Sequence, residues 1–384
     1  MKMSRVARVL AVGALAVTLL TLASGPLSAA ASAAPVPAGF RAISITWVTQ
    51  VRGWVLGVAP CHHASTRTCT NVISTSNGGA TWTQAGQIPA PTPPAGDATT
   101  GVTRIRFSTP AIGWAFGPDL YRTTDGGRSW TRQQIGGAGT RQVLALATTA
   151  TAAYAVTSPC AYQSGGSCKG PGLSVWRAQA LTRGPWVKTP LTLPFSDAAD
   201  VSAFGSTVYA DDATQDGSHL YASTNGGSTF ASRPVPCDDS QGIELVQAVA
   251  SSATKVALLC VGNAGIGKAD KTVYRSADTG KTSTSAGTMG PYGIFSQLAV
   301  SPSGNLLVAA ASAMGSFLYV NDSGDGDWSM PVGIDDGGLG WGDMAYVTDN
   351  EAFVVYSPGN SRAYPVGTVY ATHDGGRHWT IAGL

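Results

Sequence analysis

Thr123-Thr124-Asp125-Gly126-Gly127-Arg128-Ser129-Trp130 is the clearest of five versions of one eight-residue segment. The version at 75–82 has Asn77 at the acidic position and closes on Trp82, and that at 223–230 has Asn225 and closes on Phe230. Residues 276–283 keep Asp278 and Gly280, and residues 372–379 keep Asp374, Gly376 and Trp379. An Asp or Asn side chain accepts backbone N–H groups a few residues on and so closes a turn. A glycine two positions later, such as Gly127, permits the positive φ that a tight hairpin needs. The aromatic residue, as at Trp130, then packs the turn onto its sheet. The segment is therefore a folding device before it is anything else.

Flanking residues fix the register. Tyr121, Tyr221, Tyr274 and Tyr370 each lie four positions before the Asp or Asn, each preceded by Leu or Val. Tyr319 and Trp328 repeat the separation of Tyr121 and Trp130, which places a decayed version at Ser323, with Asp325 where the acidic residue belongs. Trp176 and Trp186 fill the remaining gap between Asp125 and Asn225. Turns near 77, 125, 181, 225, 278, 325 and 374 give seven units of 44 to 56 residues. Each unit reads as four short strands. In the second, 102–107 is strand A, Gly113–Phe116 strand B, Leu120–Thr123 strand C and 129–135 strand D. Tandem four-stranded units at this period predict an all-β chain, a single seven-bladed β-propeller of antiparallel blades, with six or eight blades as alternatives. The expected blades span about 40–90, 97–137, 138–195, 196–237, 240–290, 291–333 and 338–384.

The eight-residue segment resembles the Asp-box, or bacterial neuraminidase repeat, whose pattern is Ser/Thr-x-Asp-x-Gly-x-Thr/Ser-Trp. Gly113-Trp114-Ala115 followed by the run from Leu120 to Trp130 resembles the repeat of photosystem II assembly-factor-like propellers and their exported relatives. That resemblance implies a non-catalytic scaffold that binds a protein or a glycan on one face. Likeness to sialidases is limited to the Asp-boxes and a faint Phe40-Arg41-Ala42-Ile43 start. The proline of the sialidase start is missing, and no acidic residue lies between Arg41 and Asp97.

Residues 1–33 read as a secretory signal peptide. Lys2, Arg5 and Arg8 precede an apolar run, and Ala31-Ser32-Ala33 offers a small-residue cleavage site. Neither a twin arginine nor a cysteine before Cys61 supports another export route. Without Lys2, Arg5 and Arg8, the 24 basic residues fall to 21 against 22 acidic ones, a net charge of −1. Generic attraction to nucleic acid or anionic lipid is thereby disfavoured. The expected protein is a secreted or cell-surface monomer without a membrane span after signal cleavage, cofactor or metal, and its partner is an extracytoplasmic protein or glycan.

An even cysteine count in an exported chain favours disulfides. Cys61-Cys69 and Cys160-Cys168 are local and similarly placed, in the B–C loops of units one and three, which leaves Cys237-Cys260. All six then lie on the face opposite the Asp-boxes. Binding candidates on that face are Arg41, His62, His63, Arg67, Arg104, Arg141, Asp211, Asp212 and His219, with Asp216 nearby. Loops held by a rigid scaffold commonly carry such residues. The runner-up function is a secreted, sialidase-like glycoside hydrolase using Asp200, Glu244 and Asp343 at the channel mouth, since glycosidases need paired carboxylates. Gln297 completes the polar rim there. Residues 262–268 mimic the spacing of a phosphate loop, but Ala269 replaces the hydroxyl residue and a strand follows instead of a helix. Residues 321–327 are acidic yet lack the EF-hand spacing. No Gly-x-Ser-x-Gly nucleophile elbow occurs.

Overall fold

Short runs of β-branched and aromatic residues, separated by glycine turns, pair in the order in which they occur along the chain. A computed structural model describes residues 34–384 apart from 62–63, 93–99, 137–141, 160–171, 183, 197–198, 215, 323–325, 339 and 357–366, and gives only the backbone of 64–66. Among the described residues, 28 strands form seven four-stranded sheets, each a meander of four consecutive strands. The single helical segment among them is a one-turn 3-10 helix, Asp239–Gln241.

The seven inner strands are Arg41–Thr49, Arg104–Phe107, Gln142–Thr148, Asp200–Phe204, Ile243–Ala250, Phe295–Val300 and Trp341–Tyr346. Each lies against the next, and the last lies against the first, so the sheets close into a seven-bladed β-propeller. Strands A to D of a blade run from the channel outward. This meander puts A–B and C–D connections at one end of the ring, the turn end. The B–C hairpins and D–A connections lie at the other, the loop end.

The core is divided into seven layers, one between each pair of neighbouring blades. Blades 1 and 2, for example, enclose Trp54, Leu56, Val72, Ile105, Phe107, Tyr121 and Trp130. Blades 7 and 1 enclose Ile45, Val55, Trp82, Phe353 and Val355, so the ring closes by side-chain packing, not by a shared sheet. Each fully buried large side chain here contributes about 1.5–3 kcal/mol.

The five repeated turns share one hydrogen-bond plan. The Thr123 hydroxyl donates to Asp125 Oδ1 (2.8 Å) and accepts the Gly127 N–H (3.0 Å), while Asp125 Oδ1 also accepts the Ser129 N–H (2.9 Å). Equivalent bonds form around Asn77, Asn225, Asp278 and Asp374. Gly127 has φ 94° and Gly376 φ 99°, values that strain any other residue. The Trp130 and Trp379 indoles donate to the carbonyls of Gly127 (3.0 Å) and Gly376 (2.8 Å), whereas Phe230, lacking an N–H, only packs.

These turns also join blades. Trp54 of blade 1 donates to the Gly126 carbonyl of blade 2 (3.0 Å), and Arg233 of blade 4 donates to the Thr279 carbonyl of blade 5 (2.8 Å). A Cβ on Gly79 would lie 3.2 Å from Phe353, across the closing seam. Blade 3 lacks the repeat, and Arg122 of blade 2 takes up its carbonyls at Ala180 (2.8 Å) and Thr182 (3.0 Å).

Strands B and C of blade 2 have the expected bounds, but strand A is Arg104–Phe107 and strand D only Thr131–Arg132. Trp130 is drawn into the turn and against Phe107, edge-on at 6.1 Å, which removes the start of the expected strand D from the ladder. Two disulfides are present among the described residues. Cys61–Cys69 joins strands B and C of blade 1 at the loop end, and Cys237–Cys260 ties the connection after blade 4 to strand B of blade 5. Cys160 and Cys168 lie outside the described residues.

Candidate functional site

The channel holds a cavity of about 520 Å³ lined by all seven inner strands. Arg106, Asp200, Gln247, Gln297 and Asp343 line it, and the cavity reaches Thr149, Ala150, Val300 and Tyr346 at the turn end. The strand periodicity carries Arg104 and Arg106 to the same side of their strand. Their common partner is Asp343, whose side chain is 5% exposed.

Arg106 grips Asp343 through both terminal nitrogens, at 2.7 and 3.2 Å. Arg104 lies 3.7 Å from the same carboxylate and donates to the Gly342 carbonyl. The Ser44 hydroxyl and the N–H groups of Ile45 (3.3 Å) and Met344 (3.0 Å) complete the shell of Asp343. Ser44 in turn accepts the Ile105 N–H at 3.0 Å. Burial opposes ionisation of Asp343, but Arg106 and Arg104 outweigh it and hold the carboxyl below the usual range. One carboxylate of blade 7 thus binds blades 1 and 2 across the ring's closing seam.

Asp200 is bonded to the Val201 N–H (2.7 Å) and to the Gln247 amide (3.2 Å). Burial raises its pKa, and Val201, Arg106, Gln247 and Arg104 reduce that rise without cancelling it. Gln247 passes the link on by accepting the Leu298 N–H at 2.7 Å, and Gln297 donates to the Trp341 carbonyl at 3.2 Å. Asp211 stands opposite Asp200 in the strand register, fully buried, beside the Ala248 N–H. Burial and the neighbouring Asp200 charge push its pKa well up.

Asp211 and Asp212 are therefore not surface binding residues. Strand B of blade 4 runs through them, Thr207–Thr214, and buries both. Asp212 Oδ1 meets His219 Nδ1 at 2.9 Å, which leaves His219 half-exposed beside it. Glu244 is exposed and absent from the cavity lining, so the expected trio of carboxylates is not assembled. Arg41, Arg67 and Asp216 are exposed near the loop end. His62, His63 and Arg141 lie outside the described residues, as does Asp325. Sequence inspection missed Arg106 and Gln247, the two residues that organise the channel. The signal for Arg106 was its two-residue spacing from Arg104 within one strand.

The phosphate-loop mimic is a β-hairpin between strands B and C of blade 5, with Gly265 paired to Lys268. Four large apolar side chains are exposed at the loop end of blades 5 and 6. Ile266, Phe295, Met314 and Tyr292 are 95%, 81%, 41% and 36% exposed. A second cavity, about 470 Å³, lies between the same blades at the turn end, with Lys255, Arg275 and Asp322 in its wall. Among the described residues no group of three or more His, Cys, Asp or Glu side chains is placed to hold a metal, and no helix is long and apolar enough to cross a membrane.

No protein-family profile and no curated protein matches the chain. Solved structures do. A Mycobacterium tuberculosis puromycin-hydrolyzing peptidase overlays with a TM-score of 0.57 at 11% identity, over 91% of this chain and 56% of that one. An oligogalacturonate lyase in complex with manganese overlays at 0.51 and 12%, over 74% and 75%. YCF48 bound to a D1 peptide overlays at 0.48 and 14%, over 84% and 92%. At such identities the two overlays above 0.5 establish a shared fold and nothing about chemistry.

Proposed function

We propose that the protein is an exported, non-catalytic propeller that binds a protein or a glycan through its loop end, with its five repeated turns acting as Asp-boxes. The segment 1–33 acts as the secretory signal in this proposal. Two disulfides fit an oxidising compartment beyond the cytoplasm. The observation that carries the non-catalytic part is the state of Asp343. Its carboxylate is occupied by two arginines, a hydroxyl and two backbone N–H groups, while Glu244 stands outside the cavity. The channel then lacks the free pair of carboxylates that glycoside hydrolysis requires.

One observation favours the hydrolase alternative: burial keeps the pKa of Asp200 raised on the cavity wall, as a general acid would need. Purified protein assayed on a panel of chromogenic glycosides separates the two. No turnover is expected. Turnover that Asp200→Asn abolishes, with the fold intact by circular dichroism, would establish the hydrolase instead. In parallel, immobilised protein is incubated with cell-envelope proteins and purified peptidoglycan. Captured ligand should be lost after changes at the loop end, such as Arg67→Glu, and kept after changes at the turn end, such as Arg128→Glu.

A further inference from the structure

We infer that the loop end of blades 5 and 6 is a peptide-docking platform for an extended segment that presents a large apolar side chain next to a carboxylate. It rests on the loop-end binding proposed above and names where and what that end binds. Three separate segments build it. The hairpin tip of blade 5 supplies Ile266 and Lys268, the connection into blade 6 supplies Tyr292 and Phe295, and the hairpin tip of blade 6 supplies Met314. Ile266 and Phe295 at 95% and 81% exposure are apolar groups that folding has left in water. A cluster of such groups on a rigid base marks a contact surface.

The base is rigid because it is bonded to itself. The Gly267 carbonyl accepts the Gly293 N–H (3.1 Å) and the Ser312 hydroxyl (2.9 Å). Met314 lies where a side chain on Gly267 would stand, 2.2 Å from an added Cβ. Tyr292 stacks on Phe317 with ring centroids 5.4 Å apart. Beneath them Lys271, fully buried, donates to the carbonyls of Ala269 (2.9 Å), Pro291 (3.0 Å) and Gly293 (3.0 Å). A buried ammonium therefore clamps the hairpin to the connection. Side chains held this way lose little freedom on binding.

Charge selects the partner. The exposed Lys268 ammonium sits 5.4 Å over the Tyr292 ring and forms no ion pair among the described residues. It can receive a carboxylate beside the apolar contact. Asp270 and Asp335 are also exposed near this rim, which disfavours an anionic bilayer. Ile266, Phe295 and Met314 carry no hydrogen-bonding groups, which disfavours a sugar. A peptide with an apolar anchor and a neighbouring acid fits both features.

The test is selection of a phage-displayed random dodecapeptide library on the full chain, then fluorescence polarisation with the enriched sequence as a synthetic peptide. Enrichment of an apolar residue next to Asp or Glu is expected. Affinity should fall at least about tenfold in Phe295→Ser and in Ile266→Ser, and severalfold in Lys268→Gln. All three positions are exposed, so folding is retained. Absence of enrichment would overturn the platform, as would peptide binding indifferent to these changes. So would binding instead to vesicles of equal phosphatidylcholine and phosphatidylglycerol, or a sedimenting dimer dissolved by Ile266→Ser. If envelope ligands are still captured by Phe295→Ser but lost with Arg67→Glu, the platform fails while binding at the loop end stands.

Discussion

Replacing Asp343 with Asn tests the seam. The amide keeps the size of the carboxylate and can still accept from Ser44, but it loses the charge that Arg106 and Arg104 share. Breaking one side of a buried pair costs about 3–5 kcal/mol when the other charge is stranded in a dry interior. Here Arg106 is 30% exposed to the channel and Arg104 34%, so water relieves part of that cost. A loss of about 2–3 kcal/mol at neutral pH follows. The pH dependence gives the sign. Asp343 has a folded pKa below its unfolded value, so its stabilisation is complete above the unfolded value, near 3.8. It disappears as pH falls through the folded value. Urea unfolding followed by tryptophan fluorescence should show a lower midpoint for Asp343→Asn at pH 7, with the gap to the parent closing on acidification. Equal midpoints at pH 7, or a gap unchanged in acid, would refute an ion-paired seam.

Other perturbations read different parts of the ring. Lys271 is pulled down from 10.5 to about 8 by burial, against the raising effect of Asp270. Its protonated form therefore costs stability below pH 8, and the cost fades between about 8 and 10.5, by roughly 3 kcal/mol at most. Unfolding midpoints should rise for the parent relative to Lys271→Met across that window, and parallel curves would contradict it. Thr279 has φ 64° where the other four turns have glycine, so Thr279→Gly should stabilise by about 0.5–1 kcal/mol. A lower thermal midpoint would count against strain there. Loss of the Cys237–Cys260 bridge, whose ends are 23 positions apart, should cost about 3.4 kcal/mol, and loss of Cys61–Cys69, 8 positions apart, about 2.5. Paired Cys→Ser variants measured by urea unfolding would show the reverse order if chain entropy were not the cause.

The architecture was legible because each turn carries its own chemistry. A hydroxyl, an Asp or Asn and a glycine at fixed spacing close the same hairpin wherever they occur, so the chain announces its period locally. Blade 3 could be placed only by spacing and by Trp176 and Trp186, because its turn lacks the Asp and is held instead by Arg122 of the preceding blade, which donates to its carbonyls. The channel was harder to read. Asp343 and Arg106 are 237 residues apart, and nothing local in either strand declares the pair. Asp211 and Asp212 looked like loop residues because two adjacent acids rarely continue a buried strand. Tyr209 and Ala210 before them carry the strand on, and the fold sets Asp212 against His219 and buries Asp211 opposite Asp200. The apolar platform escaped notice because it is assembled from three segments, each with only one or two exposed apolar residues.

The division between a structural centre and a binding loop end is tested most directly by measuring peptide affinity and urea midpoint together in Phe295→Ser and Asp343→Asn. Phe295→Ser should lose affinity at an unchanged midpoint, and Asp343→Asn should lose midpoint while the folded protein binds as before. Affinity lost with Asp343→Asn and retained with Phe295→Ser would place recognition in the channel and contradict the account.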